Sequence, residues 1–201
     1  IELLKVEYFK LKQKCFVFWS RGGYTPGFQK FKNLLRIFLG KQLPKPGFNN
    51  KRKKAFSNPL IRRIWLSIAI LDLIFFYSIF LRLKLFFGYN IICDRYIIDT
   101  EIDFKLNFPQ ENIDNWILWK ILKNTALNPD FTFILLISPE ESIIRSINKN
   151  EPFPDSKKIL RLRLEKYNNY LINDSNLYLL ESDKSIESIN KYILNIISHK
   201  Y

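Results

Sequence analysis

The chain has no methionine, a single histidine and only two cysteines in its 201 residues. Each scarcity excludes a chemistry. His199 stands beside the C-terminus, which leaves no imidazole for a Ser-His-Asp constellation or a His-rich metal site. Cys15 and Cys93 both sit in apolar, strand-like runs, so buried free thiols in a reducing cytoplasm are expected rather than a disulfide. Ile1-Glu2-Leu3-Leu4-Lys5 has neither the basic start nor the long apolar stretch of a signal peptide, and the expected location is cytoplasmic. The missing Met, absent even at position 1, reads as a sign that residue 1 is not the biological start.

What is present suits one globular domain with a real core, since 47% of residues are hydrophobic. The net charge of +13 points to an anionic partner such as a nucleotide, a nucleic acid or a membrane surface. Lys, Asn, Ile, Phe and Tyr are abundant throughout, so part of that charge fits compositional drift.

Apolar residues between Ile1 and Lys12 alternate with Lys and Glu as in an amphipathic helix that starts without an N-cap. Cys15–Trp19 is a continuous apolar run, the pattern of a strand buried on both faces. Ser20–Gly27 carries Gly and Pro punctuation and reads as a loop. A helix over Phe28–Leu39 and a basic loop over 40–56, ending in Lys51-Arg52-Lys53-Lys54, come next. Leu60–Phe87 is a long apolar stretch whose Ile64–Leu81 segment meets the lower bound for a membrane span. Asp72 in mid-run opposes that reading, and a core helix covering a sheet is expected instead. Tyr89–Cys93, Phe131–Ile137 and Leu177–Leu180 read as further strands. Asn112–Leu127, the stretch after Ser138, Lys157–Leu171 and Ile186–Ile197 read as helices. Ser138 supplies an N-cap, Pro139 the first helical position, and Glu140 and Glu141 an acidic first turn. Trp116 and Trp119 serve a core or a homodimer face equally well.

Strands that alternate with helices and read as solid apolar runs imply crossover connections and a parallel sheet, hence an α/β fold. Ligands in such sheets bind at the C-terminal strand edge, where Arg21, Asp94, Arg95 and Ser138 all fall. An Asp beside an Arg at such an edge suits phosphoryl transfer: the carboxylate contacts a Mg²⁺-bound water or a donor group, and the guanidinium forks onto phosphate oxygens. A loop-tying Asp–Arg pair is the plainer alternative.

The ordered set of motifs resembles the thymidylate-kinase family of P-loop nucleoside-monophosphate kinases. The carriers are Ser20-Arg21-Gly22-Gly23-Tyr24-Thr25-Pro26-Gly27, the long helix leading through Gly88 into Asp94-Arg95-Tyr96, and Ser138-Pro139-Glu140-Glu141 with Arg145 and Lys149. The Arg163–Leu171 helix and a strand–helix end complete the set. The resemblance implies a three-layer parallel-sheet P-loop NTPase-like fold, with residues 1–201 as a single domain and a helical lid at about 145–160. It implies ATP and Mg²⁺ as cofactors and a nucleotide or other phosphorylated small molecule as acceptor. Asp94 and Arg95 would serve the transferring phosphoryl group, with Asp94 holding the metal through water. Arg21, Gly22, Tyr24 and Tyr96 would bind the acceptor, and Arg145 and Lys149 would belong to the lid.

Two departures from the family pattern follow. Residues 1–201 contain no Gly-x-x-x-x-Gly-Lys-Ser/Thr, the loop that cradles donor phosphates. The expectation is an N-terminally truncated chain that lacks its first strand and shows little or no kinase activity by itself. The family's thymine-reading Arg would fall near Ile74, where Leu71–Tyr77 offers only Asp72 as a charged group and a speculative substitute acceptor contact. Other readings are a non-catalytic homologue, a membrane anchor at Ile64–Leu81, or a nucleic-acid binder using Lys51–Lys54 and Lys157–Arg163. No nucleic-acid-binding motif supports the last, and neither nucleic acid nor membrane is expected as a partner.

Overall fold

The structure is a computed structural model that describes residues 1–20, 56–150, 155–173, 177–181 and 184–199. The expected Phe28–Leu39 helix, the Lys51–Lys54 run and the Arg21–Gly27 part of the first loop lie outside the described residues. The chain groups into two compact units, Lys12–Leu127 and Ile1–Leu11 with Asn128–Tyr201. Among the described residues each is α/β with one parallel strand pair.

In the Lys12–Leu127 unit, β1 (Cys15–Trp19) pairs in parallel with β2 (Asn90–Asp94), with Cys15 opposite Asn90 and Trp19 opposite Asp94. Among the described residues between them runs a continuous helix: α2 (Pro59–Ile74), a π-helical stretch over Phe75–Phe80, and α3 (Leu81–Phe86). Asn58 caps it by accepting from the Leu60 N–H at 2.9 Å, with Pro59 at the first position. One side of this helix is the core of the unit. Leu66, Ala69, Ile70, Leu73, Tyr77 and Leu81 cluster with Phe18, Phe104, Trp119 and Leu122. The core-helix expectation is therefore borne out. The other side exposes Ile64, Leu71, Phe75, Ile79 and Leu83, and Pro59–Phe86 is long and apolar enough to cross a membrane by length and composition.

Two elements of this unit depart from the sequence expectation. α4 (Ile97–Asn107) has no counterpart among the expected helices. Its periodicity is hidden because polar residues are buried beside apolar ones: Thr100, Glu101, Ile102, Asp103 and Phe104 are all buried in succession. Glu101 is held there by Lys105 at 2.6 Å. The single helix expected over Asn112–Leu127 is broken. Ile113–Asn115 is a 3₁₀ turn, Trp116 is extended, and α5 begins at Ile117 and ends at Thr125. Asn112, Asp114 and Asn115 sit where short polar side chains compete with helical backbone bonds. Trp119 is fully buried with its ring 5.9 Å from Phe104, so it is a core residue and not part of a dimer face. Cys15 and Cys93 are free, as expected, but only half-buried.

In the other unit, β3 (Thr132–Leu136) pairs in parallel with β4 (Leu177–Glu181), Thr132 opposite Leu177. α7 (Lys157–Asn173) packs on both strands and on α6 (Pro139–Asn148), and α1 (Glu2–Lys10) meets α8 (Ile186–Ser198). α1 does not gather its apolar residues on a sheltered face. Leu4 is buried, while Leu3, Val6 and Phe9 are exposed. Apolar positions 1, 3, 4, 6, 8, 9 and 11 are too closely spaced to form one stripe at the helical period, and they wrap around the helix instead.

Candidate active site

The parallel register brings the C-terminal ends of β1 and β2 level. The ladder extends one step past the strands, where the Ser20 N–H donates to the Asp94 carbonyl at 3.4 Å. The chain then turns sharply out of β2. Arg95 adopts φ 73°, a left-handed conformation that costs a non-glycine residue about 1–3 kcal/mol and collects at functional sites. Tyr96 starts α4, its N–H donating to Asp99 Oδ2 at 3.0 Å. Asp94, Arg95 and Tyr96 are each half-buried. This combination offers an acceptor-only carboxylate and an always-charged guanidinium, side by side at a strand edge.

Behind the turn stands Tyr77, delivered by the π-helical stretch and fully buried. Its hydroxyl and the Ser20 hydroxyl share a hydrogen bond of 2.5 Å. Its ring lies 4.3 Å from that of Tyr96. The Tyr96 hydroxyl donates to the Leu127 carbonyl at 2.8 Å, and the Leu127 N–H donates to the Tyr77 carbonyl at 3.1 Å. Burial pushes the Tyr77 and Tyr96 phenols well above the usual tyrosine range and lifts the Cys93 thiol to about 12. These groups therefore stay neutral near pH 7. The two phenols supply hydrogen bonds behind Asp94 and Arg95 without adding negative charge there.

Other expected site residues are distributed as follows. Asp72 is on α2 and half-buried. Ile74, near which the base-reading Arg is expected, packs against the apolar core. Arg21, Gly22 and Tyr24 lie outside the described residues, as do residues 151–154 of the expected lid. In the second unit, the Ser138 hydroxyl caps α6 by accepting from the Glu141 N–H at 3.1 Å, as its sequence indicates. Arg145 donates from Nε to Glu141 Oε1 at 2.8 Å, and exposed Lys149 follows the last turn of α6. Lys157 meets Glu140 at 2.7 Å, joining α7 to the start of α6. Among the described residues, no group of three or more His, Cys, Asp or Glu gathers into a metal cage.

Sequence reasoning named Ser20 only within its loop motif and gave Tyr77 no role in the site. A signal existed: Tyr77 is the only tyrosine in the Ile64–Leu81 run, and a buried tyrosine needs a partner for its hydroxyl.

No family model matches the chain. Among solved structures it resembles deoxyadenosine kinase from M. mycoides with bound dCTP, at a TM-score of 0.47 and 16% identity, over 93% of this chain and 100% of that one. The same enzyme with bound dATP gives a TM-score of 0.47 and 15% identity over 92% of this chain and 100% of that one. The sequence relationship is closer. The chain is 30% identical to a probable thymidylate kinase from Sulfolobus acidocaldarius across 174 residues, which cover 81% of this chain and 87% of that protein. At 30% identity over 81% of its length, the chain belongs to the thymidylate kinase family.

Proposed function

We propose that the protein is a nucleotide kinase that transfers the γ-phosphate of ATP to a nucleoside monophosphate or a related phosphorylated acceptor. The observation that carries this reading is the Asp94-Arg95-Tyr96 turn, with Arg95 held left-handed at the C-terminal end of β2. Family membership supports it.

In this reading the Arg95 guanidinium pairs with phosphoryl oxygens, neutralising charge as the group passes between oxygens. Asp94 supplies the carboxylate. A lone half-buried carboxylate suits Mg²⁺, which keeps waters and substrate phosphates as most of its ligands. Asp94 would touch a metal-bound water, and the bound ion would add positive charge beside the transferring phosphoryl group. Arg21, with Gly22 and Tyr24, binds the acceptor phosphate. Tyr96, whose hydroxyl is already committed to Leu127, offers its ring. Arg145 and Lys149 belong to a lid over about 145–160 that limits hydrolysis by excluding water.

The acceptor differs from dTMP in this reading. The family's thymine-reading Arg would fall near Ile74, and Asp72 is the charged residue of the Leu71–Tyr77 segment. A carboxylate there favours a base or substituent that donates hydrogen bonds.

The test uses full-length protein, ATP, Mg²⁺ and a panel of nucleoside monophosphates. Phosphorylation of at least one acceptor is expected, with dTMP not the best. Asp94→Ala should lower kcat by roughly 10²–10³-fold while the circular dichroism spectrum is unchanged. Absence of transfer to every acceptor sinks the reading, and wild-type turnover in Asp94→Ala removes Asp94 from the mechanism.

A further inference from the structure

We infer that Tyr77 is a positioning residue for the Asp94-Arg95-Tyr96 turn. Its hydroxyl on Ser20 and its ring on Tyr96 hold Arg95 in the backbone conformation from which the guanidinium is presented. The inference rests on the phosphoryl-transfer reading and adds to it a residue that never touches the substrate.

A left-handed arginine persists only where its surroundings over-determine it. Here the fixed points are the residues on either side. The Asp94 carbonyl accepts from the Ser20 N–H. Tyr96 is tied by its N–H to Asp99 and by its hydroxyl to the Leu127 carbonyl. Tyr77 closes the circuit. It holds Ser20 through the 2.5 Å hydroxyl pair, holds Leu127 through the 3.1 Å bond to its own carbonyl, and packs its ring 4.3 Å from Tyr96. Both residues that restrain the turn from outside, Ser20 and Leu127, are therefore restrained by Tyr77. Its burial excludes substrate contact.

The helix is built to place this side chain. Phe75–Phe80 is π-helical, a wider turn that recurs at functional sites. Ser78, next in the chain, bonds Thr125 at 2.8 Å. The Arg82 guanidinium donates both to the Ser78 carbonyl and, at 2.6 Å, to the Thr125 carbonyl. The widened turn is thus pinned to the end of α5, one residue away from Tyr77. Burial also keeps the Tyr77 phenol protonated well beyond neutral pH, so the link to Ser20 survives across the working range.

Two variants of the full-length protein test this. Tyr77→Phe keeps ring and burial but deletes the hydroxyl, and Ser20→Ala deletes its partner. Each is expected to lower kcat about tenfold without raising the KM for ATP. The double variant should lose no more than either single one, because both remove one link. A second measurement needs no turnover: ¹⁵N relaxation dispersion at the Arg95 and Tyr96 amides, quiet in the wild type, should appear in Tyr77→Phe as the turn begins to exchange. Unchanged kcat with quiet amides overturns the inference and leaves the transfer reading standing. Additive losses in the double variant overturn it too, since they mark two independent defects. If the wild type phosphorylates nothing, the transfer reading falls. The amides then decide alone: exchange in Tyr77→Phe supports the restraint of Arg95, and quiet amides overturn it.

Discussion

Arg62 and Glu111 form a buried ion pair that fastens the first turns of α2 to the loop after α4. Arg62 Nε donates to Glu111 Oε1 at 2.8 Å, and its other guanidinium nitrogens reach Glu111 at 2.6 Å and the Phe56 carbonyl at 2.7 Å. Glu111 also accepts from Arg63 Nε at 3.2 Å, but the Arg63 side chain is 64% exposed. The difference in burial sets the expected costs. Glu111→Ala strands a buried guanidinium and should destabilise by about 3–5 kcal/mol. Arg63→Ala removes a solvated partner and should cost about 0–1 kcal/mol. Urea denaturation of both variants checks this, and equal losses would show that Arg62 is solvated when alone.

The sequence made the framework of each unit readable because its strands and caps are local patterns. Cys15–Trp19 is an unbroken apolar run and Ile91–Cys93 is the apolar centre of its partner, so both strands are legible, although only Phe18 of them is buried and the rest are half-buried or exposed. Ser138-Pro139-Glu140-Glu141 announces the start of α6 through neighbouring residues alone. The site is half readable for the same reason. Asp94 and Arg95 sit at a strand end that any periodicity argument finds. The Ser20–Tyr77 hydrogen bond spans 57 positions, and no local pattern encodes it. α4 escaped because burying Glu101 and Asp103 erases the polar face that marks a helix. The left-handed φ at Arg95 is likewise invisible, since arginine does not favour it and tertiary contacts impose it.

Gly88 joins α3 to β2 at φ 77°, and a Cβ there would meet nothing within 4 Å. The glycine is required for its backbone and not for space. Gly88→Ala should cost about 1–2 kcal/mol from left-handed strain alone. Gly88→Asn should cost less, because asparagine tolerates that region. Thermal melts of the two variants read the order directly. Equal losses would mean that a steric contact, not φ, decides the position.

Alkali should destabilise the protein through Cys93, Tyr77 and Tyr96. Burial raises the Cys93 thiol from an ordinary 9.0 to about 12 and raises both phenols from an ordinary 10.0. A raised folded value means that the folded state keeps its proton while the unfolded chain gives it up. The stability contributed by these neutral groups is full below about pH 9 and is lost progressively as pH rises toward 12 and beyond. The melting temperature measured from pH 7.5 to 11 should fall over the upper part of that range. Cys93→Ala should shallow the fall. An identical slope in that variant would show that the thiol ionises freely when folded.

Arg95 combines a strained backbone with a charged side chain proposed to serve transfer, and the two can be separated by substitution. Arg95→Gly removes the Cβ that makes φ 73° unfavourable. The relief is partly offset by the greater freedom of glycine in the unfolded chain, so stability should be unchanged or higher by about 1 kcal/mol. Arg95→Lys keeps a positive charge and the strain but loses the planar fork. If the guanidinium is the functional group, Arg95→Gly folds as well as the wild type and transfers no phosphoryl group, while Arg95→Lys retains a small fraction of kcat at ordinary or slightly lower stability. A clear loss of stability in Arg95→Gly would mean that the side chain, rather than the ring of restraints around Ser20, Tyr96 and Leu127, holds the turn. Structure would then account for the arginine without any catalytic role.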